Sequence, residues 1–352
     1  MRKFTILIIT PGVFEKFIMN IQQRIQAFAS LGDYLRNLSS SELKDITNSA
    51  ANDNSWFTPD SVEQSLQAIA SWLTEASLEA WVSPYPTPPA SRKVALVMAG
   101  NIPLVGFHDL LAVLTSGHLG MVKFSSKDKF LPSFLIKKLI DIQPAFSDRI
   151  TVVEQLKSFD AVIATGSDNS GRYFEYYFGK YPHIIRKNRT SVAILSGNET
   201  KGELGSLGTD IFSYYGLGCR NVSKLFVPAG YQFDGMFQAI ESFAPVINQH
   251  KYANNYDYQK SILLINSEKF SDNGFLLLQE SQKIVSPISV LFYEFFSSED
   301  DLSGKLKANA EKIQVVVGKH RLAEVEFGQA QMPALTDYAD KVDTMKFLSE
   351  LK

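Results

Sequence analysis

Apolar positions divide the chain into an N-terminal helical part and a longer alternating part. From Phe14 to Leu38, Phe17, Ile18, Ile21, Ile25 and Phe28 fall at helical spacing and predict a helix. Ser39-Ser40-Ser41 and the stretch from Asn48 to Asn54 are polar and read as loop. Thr58-Pro59-Asp60 opens a second helix, capped by Thr58 or Asp60, with Pro59 in the first turn where its missing N–H costs nothing. Val62, Leu66, Ile69, Trp72 and Leu73 form its apolar stripe. Pro84, Pro86, Pro88 and Pro89 make a connector that cannot be helix. Ahead of all this, Phe4 to Thr10 is an apolar run stopped by Pro11-Gly12 that reads as a strand-like or disordered lead-in, far short of the roughly twenty residues a membrane span needs.

From Lys93 the pattern changes. Val94 to Met98 is continuously apolar, as a parallel strand covered on both faces should be. A turn at Ala99-Gly100-Asn101 leads into a helical stretch, Pro103 to Leu114. Leu119 to Phe124, Ile150 to Val153, Asp160 to Ala164 and Ser191 to Leu195 read as further strands, with helices at Phe130 to Ile142 and Gly171 to Gly179. Strand, turn and helix in repetition predict a doubly wound α/β sheet, which binds ligands at the carboxyl ends of its strands. Those ends carry Gly100, Asn101, Lys123, Ser125, Ser126, Thr165, Gly166 and Ser167, a polar set suited to a nucleotide. A second α/β stretch follows, with helices at Leu204 to Tyr215 and Phe233 to Ala244. Strands are expected at Lys224 to Val227, Ser261 to Ile265 and Ile288 to Phe292. The expected organisation is a helical lead-in (1–55), a nucleotide-binding domain (56–197), a catalytic domain (198–330) and a tail packing back on the core (331–352).

Composition narrows the chemistry. The chain is 45% hydrophobic and 20% charged, ordinary for a globular protein. Its 35 Lys+Arg against 37 Asp+Glu provide no bulk field for nucleic acid or anionic lipid. Without a spanning segment or a signal peptide, a cytoplasmic location is expected. The five histidines are scattered, and one cysteine excludes both an intramolecular disulfide and a multi-cysteine zinc site. No G-x-G-x-x-G or Walker A sequence occurs. Asn37, Asn188, Asn198 and Asn221 begin sequons that are chance occurrences in such a protein.

The single thiol, Cys219, is either an inert core side chain or a nucleophile. It sits in Tyr214-Tyr215-Gly216-Leu217-Gly218-Cys219-Arg220-Asn221. Gly216 and Gly218 allow close backbone approach, Arg220 favours a thiolate, and backbone N–H groups of such a loop can face an oxyanion. A Gly-Leu-Gly turn of purely structural use fits the same residues.

The order of these motifs is informative. Val97 to Pro132 (VMAGNIPLVGFHDLLAVLTSGHLGMVKFSSKDKFLP) resembles the strand–Asn–x–Pro–Leu–helix–strand–Lys module of aldehyde dehydrogenases. Ala164 to Ser167 resembles their nucleotide turn. Cys219, with Gly216 before it and Lys224 after it, resembles their nucleophile loop, and Ser286-Pro287-Ile288 their late Gly-Pro-Val strand. Gly100 to Gly106 and the Val342-Asp343-Thr344-Met345 tail are most similar to the acyl-CoA reductase branch of LuxC type, the luminescence fatty-acid reductases. The resemblance runs from about Trp56 to the C-terminus.

It implies a two-domain fold with the active site in the interdomain cleft. Cys219 attacks an acyl-CoA thioester, Asn101 and a backbone N–H near Cys219 hold the oxyanion, and a nicotinamide cofactor reduces the resulting thioacyl enzyme to an aldehyde. The departures refine this. Ile185 stands where hydrolytic aldehyde dehydrogenases carry a basic Glu, and Lys283 near the place of their late Glu, so acyl transfer is expected rather than oxidation to an acid. Lys123 matches the ribose-holding Lys. Ser126, flanked by Lys127 and Lys129, replaces the acid that would repel a 2′-phosphate, so NADPH is expected over NADH. Lys123, Ser125, Ser126, Lys127, Thr165, Gly166 and Ser167 are the expected cofactor residues, with no metal. Phe174, Tyr176, Tyr177 and Phe178 are candidates for an acyl pocket or for core, and His250 for an acid or a structural group. Another activated acyl donor, or a non-catalytic nucleotide-binding subunit, fits the same motifs. A homo-oligomer or an acyl-transferring partner protein is compatible with them.

Overall fold

The computed structural model describes residues 19–352. The apolar lead-in at 4–10 and the start of the helix expected from Phe14 lie outside the described residues. Among the described residues four helices precede the first strand: α1 (Ile21–Arg36), α2 (Ser40–Asp53), α3 (Pro59–Trp72) and α4 (Glu75–Val82). Thr58 caps α3 as expected, accepting from the Ser61 N–H. The loops expected at Ser39–Ser41 and Asn48–Asn54 are instead the two ends of α2. A reciprocal capping box starts that helix: Ser39 Oγ accepts from Glu42 N at 3.2 Å and Glu42 Oε2 from Ser39 N at 3.0 Å. Only Ile46, Thr47 and Ala50 are buried along α2, so its polar composition reflects a solvated helix face.

The first sheet holds β1 (Lys93–Val97), β2 (Leu119–Lys123), β3 (Ile150–Val152), β4 (Ala161–Thr165) and β5 (His183–Arg186), all parallel, in the order β3-β2-β1-β4-β5. Helices α5 (Phe107–Ser116), α6 (Phe130–Ile142) and α7 (Asp168–Phe178) connect its strands. The chain winds outward from β1 to β3, then returns to β4. The ends of β1 and β4 therefore flank a crevice at the reversal point, where such sheets bind ligands.

The second sheet is ordered β11-β6-β7-β10-β9-β8. Its strands are β6 (Thr190–Ile194), β7 (Val222–Pro228), β8 (Ser271–Asp272), β9 (Leu277–Glu280), β10 (Val290–Phe296) and β11 (Ile313–Val317). Only the β8–β9 pair is antiparallel. Its helices are α8 (Lys201–Phe212), α9 (Asp234–Ala239), α10 (His250–Ile265) and α11 (Glu299–Ala308), and α12 (Thr344–Ser349) closes the chain. The strand read at Ser191–Leu195 as the fifth of the first sheet pairs instead with β7 and β11, and β5 takes the fifth place. The strand expected at Ser261–Ile265 is the last part of α10. A short apolar run does not by itself distinguish strand from helix, and here only Leu263 of its residues is buried.

The C-terminal segment returns to the N-terminal helices and to the start of β2. Trp72 Nε1 donates to Pro333 O at 2.7 Å, Trp81 Nε1 to Tyr338 Oη at 2.8 Å, and His118 Nε2 lies 2.9 Å from Leu348 O. Among the described residues no helix is long and apolar enough to cross a membrane.

Candidate active site

The loop carrying Cys219 leaves α8 through three successive left-handed residues, Tyr214 (φ 50°), Tyr215 (φ 59°) and Gly216 (φ 77°). Only glycine adopts this region without cost, so the two tyrosines need surrounding structure to hold them. Asn221 supplies it. Its buried Nδ2 donates to the carbonyls of Asp210 (3.1 Å), Ile211 (3.3 Å) and Ser213 (2.8 Å), and its Oδ1 accepts from Gly218 N (2.8 Å). Two of these carbonyls belong to the last turn of α8, where helix carbonyls lack intrahelical partners. From β6, Ser191 Oγ donates to the Cys219 carbonyl at 3.1 Å. From the end of β1, Asn101 Nδ2 donates to Leu217 O at 2.7 Å. Asn101 and the cysteine loop, drawn from opposite sheets, are thus in direct contact.

They open on a cleft of about 860 Å³, whose walls include every sequence-predicted site residue: Cys219, Asn101, Lys123, Ser125, Ser126, Lys127, Thr165, Gly166 and Ser167. At the end of β2, Lys123 Nζ donates to Glu154 O at 2.9 Å. Ser125 Oγ accepts from Lys127 N at 3.2 Å, leaving the Ser126 and Lys127 side chains exposed. Ser167 caps α7 through the Ser170 N–H at 3.3 Å. A Cβ on Gly166 would stand 2.8 Å from Phe174 and Ser170, so this turn closes only around glycine.

Cys219 is half-buried. Burial pushes its thiol up. The adjacent Arg220 pulls it down, Asp340 pushes it up and Arg186 pulls it down. Arg186 is buried, pairs with Asp109 and donates to Thr344 Oγ1 at 2.9 Å. Asp340 pairs with Arg189 at 3.2 Å, and burial raises its carboxyl against the pull of Arg189 and Arg186. Arg186, Arg189 and Asp340 all line the cleft; Ile185 is not among its lining residues.

Several of these residues carry little signal in the sequence. Arg186 stands out there only as the neighbour of a missing Glu, and Asn221 only as the start of a chance sequon. Asp340 lies just before the tail motif. Of the acyl-pocket candidates, only Phe174 lines the cleft. Tyr176 and Tyr177 project outward from α7, 83% and 60% exposed. Further apolar lining of the cleft comes instead from Ile211, Phe212, Tyr215, Tyr252 and Ile288. Lys224 lies outside the cleft, fully buried, with Nζ paired to Glu294 and donating to Ser281 O at 3.0 Å. His250 is exposed and also outside it.

The sequence and the fold have counterparts among known proteins. The family model described as acyl-CoA reductase (LuxC) matches residues 71–240. No curated protein sequence matches the chain. Among solved structures, aldehyde dehydrogenase 21 from Physcomitrella patens, in complex with the product succinate, superposes with a TM-score of 0.64 at 12% identity, over 88% of this chain and 78% of that one. An aldehyde dehydrogenase C mutant from Pseudomonas syringae, in complex with NAD+ and octanal, gives 0.64 at 9% identity, over 90% and 78%. An NADP dependent enzyme from E. coli gives 0.63 at 12% identity, over 88% and 78%. At such identities these structures establish the fold. The family match adds the activity class, an oxidoreductase of acyl groups or aldehydes. Over residues 71–240 the chain is thus similar to the acyl-CoA reductase (LuxC) family, and its fold is that of the aldehyde dehydrogenases.

Proposed function

We propose that the protein reduces an acyl-CoA to the aldehyde, using NADPH, through an acyl group carried on Cys219. One observation carries this reading: the chain's single cysteine lines a cleft whose walls carry both a polar, cation-bearing set and an apolar set of residues. The apolar side suits an acyl chain. The donor set on the other side suits a dinucleotide: the Lys123 ammonium, the exposed Ser126 hydroxyl, the Lys127 and Lys129 ammoniums and the Thr165-Gly166-Ser167 turn all line it. These residues would hold the cofactor, which supplies the hydride for the acyl carbon when bound. Glu154 shares this rim, so the preference for a 2′-phosphate rests on Ser126, Lys127 and Lys129.

The chain's own part is acyl transfer and orientation. The Cys219 thiolate attacks the thioester carbon, the bond to the CoA sulfur breaks, and that sulfur takes up a proton equivalent to the one Cys219 released. One Asn101 amide N–H already holds Leu217 O. Its second N–H and the Cys219 backbone N–H are the donors for the oxyanion. Among the described residues the carboxylates lining the cleft are Glu154 and Asp340, the latter tied to Arg189. With Arg186 rather than a basic Glu presented to the cleft from this segment, the acyl group on sulfur is kept from hydrolysis. Cys219→Ser and Cys219→Ala should abolish aldehyde formation from acyl-CoA while nucleotide affinity stays within about twofold. Turnover near wild type in either variant overturns the reading.

A further inference from the structure

We propose that Asp128 is a positioning residue: its buried carboxyl ties the turn after β2 to the loop after β1 and so sets where Asn101 stands. The inference rests on Asn101 donating to the oxyanion during acyl transfer to Cys219, and adds what aims it. Asn101 is exposed, but Gly100 before it and Pro103 and Leu104 after it are buried. Three side chains from outside the loop hold these flanks. Asn54 Nδ2 donates to Gly100 O at 3.4 Å, Ser65 Oγ donates to Pro103 O at 2.8 Å, and Asp128 Oδ2 accepts from Leu104 N at 2.8 Å. All three are buried, Asp128 the most deeply at 3% exposure.

The tie to Asp128 differs from the other two in what it restrains. Leu104 is left-handed (φ 57°), a conformation that a residue with a Cβ keeps only where its surroundings enforce it. The bond from its N–H to Asp128 acts at that residue. Asp128 also meets the loop at its other end. A Cβ on Gly100 would stand 2.6 Å from Ser125 Oγ and 3.1 Å from the Asp128 Cβ, so loop and turn touch there with no room for a side chain. Asn101 lies between these two contacts, with its Nδ2 donating to Leu217 O at 2.7 Å. The turn is a fixed base for them. Asp128 N donates to Ser125 O at 3.2 Å, Ser125 Oγ accepts from Lys127 N at 3.2 Å, and Asp53 Oδ2 accepts from the N–H groups of Lys129 and Phe130. Removing the Asp128 carboxyl leaves the Leu104 N–H buried and unmet, and frees the loop where its backbone is strained.

The test is a double-mutant cycle read in single-turnover acylation of Cys219 by acyl-CoA, in the full chain without nucleotide. Asp128→Leu, similar in size but without an acceptor, should lower the acylation rate by about tenfold to a hundredfold, the upper figure being that for a misplacement of about 1 Å. Asp128→Asn keeps the acceptor and should restore most of the rate. In the Asn101→Ala background, Asp128→Leu should cost almost nothing more, because the group it aims is gone; a merely structural role would slow both backgrounds alike. Nucleotide affinity should hardly change, since the turn is held through backbone groups that Asp128→Leu retains. Should Asp128→Leu fail to fold, Asp128→Ala removes the acceptor without adding apolar bulk and serves the same cycle. Amide exchange over residues 100–106 reads the tie without any acyl donor: it should be faster in Asp128→Leu or Asp128→Ala and slow again in Asp128→Asn. Wild-type acylation in either folded acceptor-free variant, an equal loss in both backgrounds, or unchanged exchange over 100–106 overturns the proposal. A full rate in Asn101→Ala overturns the reading of Asn101 and the proposal with it. A slow Asn101→Ala beside a fast Asp128→Leu overturns the proposal alone.

Discussion

Asn221 is the residue on which the shape of the cysteine loop depends most, and removing its side chain has a calculable effect. The side chain is 2% exposed and serves four backbone groups: the carbonyls of Asp210, Ile211 and Ser213, and the N–H of Gly218. Asn221→Ala orphans them together. A buried group left without its partner costs about 1–3 kcal/mol. The Gly218 N–H and the Asp210 and Ile211 carbonyls, whose bonds to Asn221 are buried, have least access to a replacement, whereas the bond to the Ser213 carbonyl is only part-buried. A loss of about 3–5 kcal/mol follows, a large fraction of the roughly 5–15 kcal/mol typical of a folded domain. The loop also loses the tie that keeps Tyr214 and Tyr215 left-handed, so the thiol should lose its fixed setting. Asn221→Asp is the sharper variant. It keeps an acceptor for Gly218 but turns a carboxylate oxygen toward three carbonyls, and should destabilise comparably although nothing changes in size. Urea unfolding measures the stability, and alkylation of Cys219 in the folded fraction measures the setting. If Asn221→Ala stays within about 0.5 kcal/mol of wild type with an unchanged alkylation rate, Asn221 does not hold the loop.

Three further outcomes are expected. Asn101→Ala should lower the acyl-transfer rate roughly a hundredfold to a thousandfold, the range for one oxyanion donor; a loss below tenfold in single-turnover kinetics contradicts it. Ser126→Glu should shift preference from NADPH toward NADH by at least about tenfold, or 1.4 kcal/mol, and Lys123→Ala should weaken both; titration with each nucleotide decides, and unchanged preference in Ser126→Glu removes the 2′-phosphate assignment. The third concerns Asp128, where burial raises the carboxyl to about 7, with the Leu104 N–H opposing and Asp53 adding to the rise. One of its oxygens accepts from that N–H at 2.8 Å and the other has no partner. Between about pH 4, its unfolded value, and about pH 7 the folded state keeps a proton that the unfolded state has released. Its contribution to stability therefore falls as pH rises through that window. Asp128→Asn keeps the acceptor without the charge, so its gain in Tm should be about 2–4 °C larger at pH 8 than at pH 5; equal gains contradict a buried carboxyl that titrates in this window.

The first sheet is readable from sequence because its strands are covered on both faces: Val94, Ala95 and Leu96 are 0–1% exposed, and a continuous apolar run bounded by turn residues is what such burial requires. The helix expected at Phe130 to Ile142 coincides with α6. Where apolar content is low, as in α2, or the element is short, as in β5, periodicity carries too little information, and the capping box at Ser39–Glu42 is the available signal. The strand-end residues are legible as a group because a parallel sheet delivers all its carboxyl ends to one side. The charge cluster under Cys219 is not. Arg186 meets Thr344 across 158 residues, and nothing local in either segment announces the meeting. Tyr176 and Tyr177 illustrate the reverse case, aromatic side chains whose position on a helix directs them to solvent.

The central claim is that an acyl group passes through the Cys219 sulfur. Incubating the full chain with acyl-CoA labelled in the acyl group, without nicotinamide cofactor, and mapping the label by peptide mass spectrometry tests it most directly. The predicted result is close to one acyl group per chain, attached at Cys219, absent from Cys219→Ser, and transferred back when free CoA is added. Label on any other residue, or equal labelling of Cys219→Ser, would contradict it.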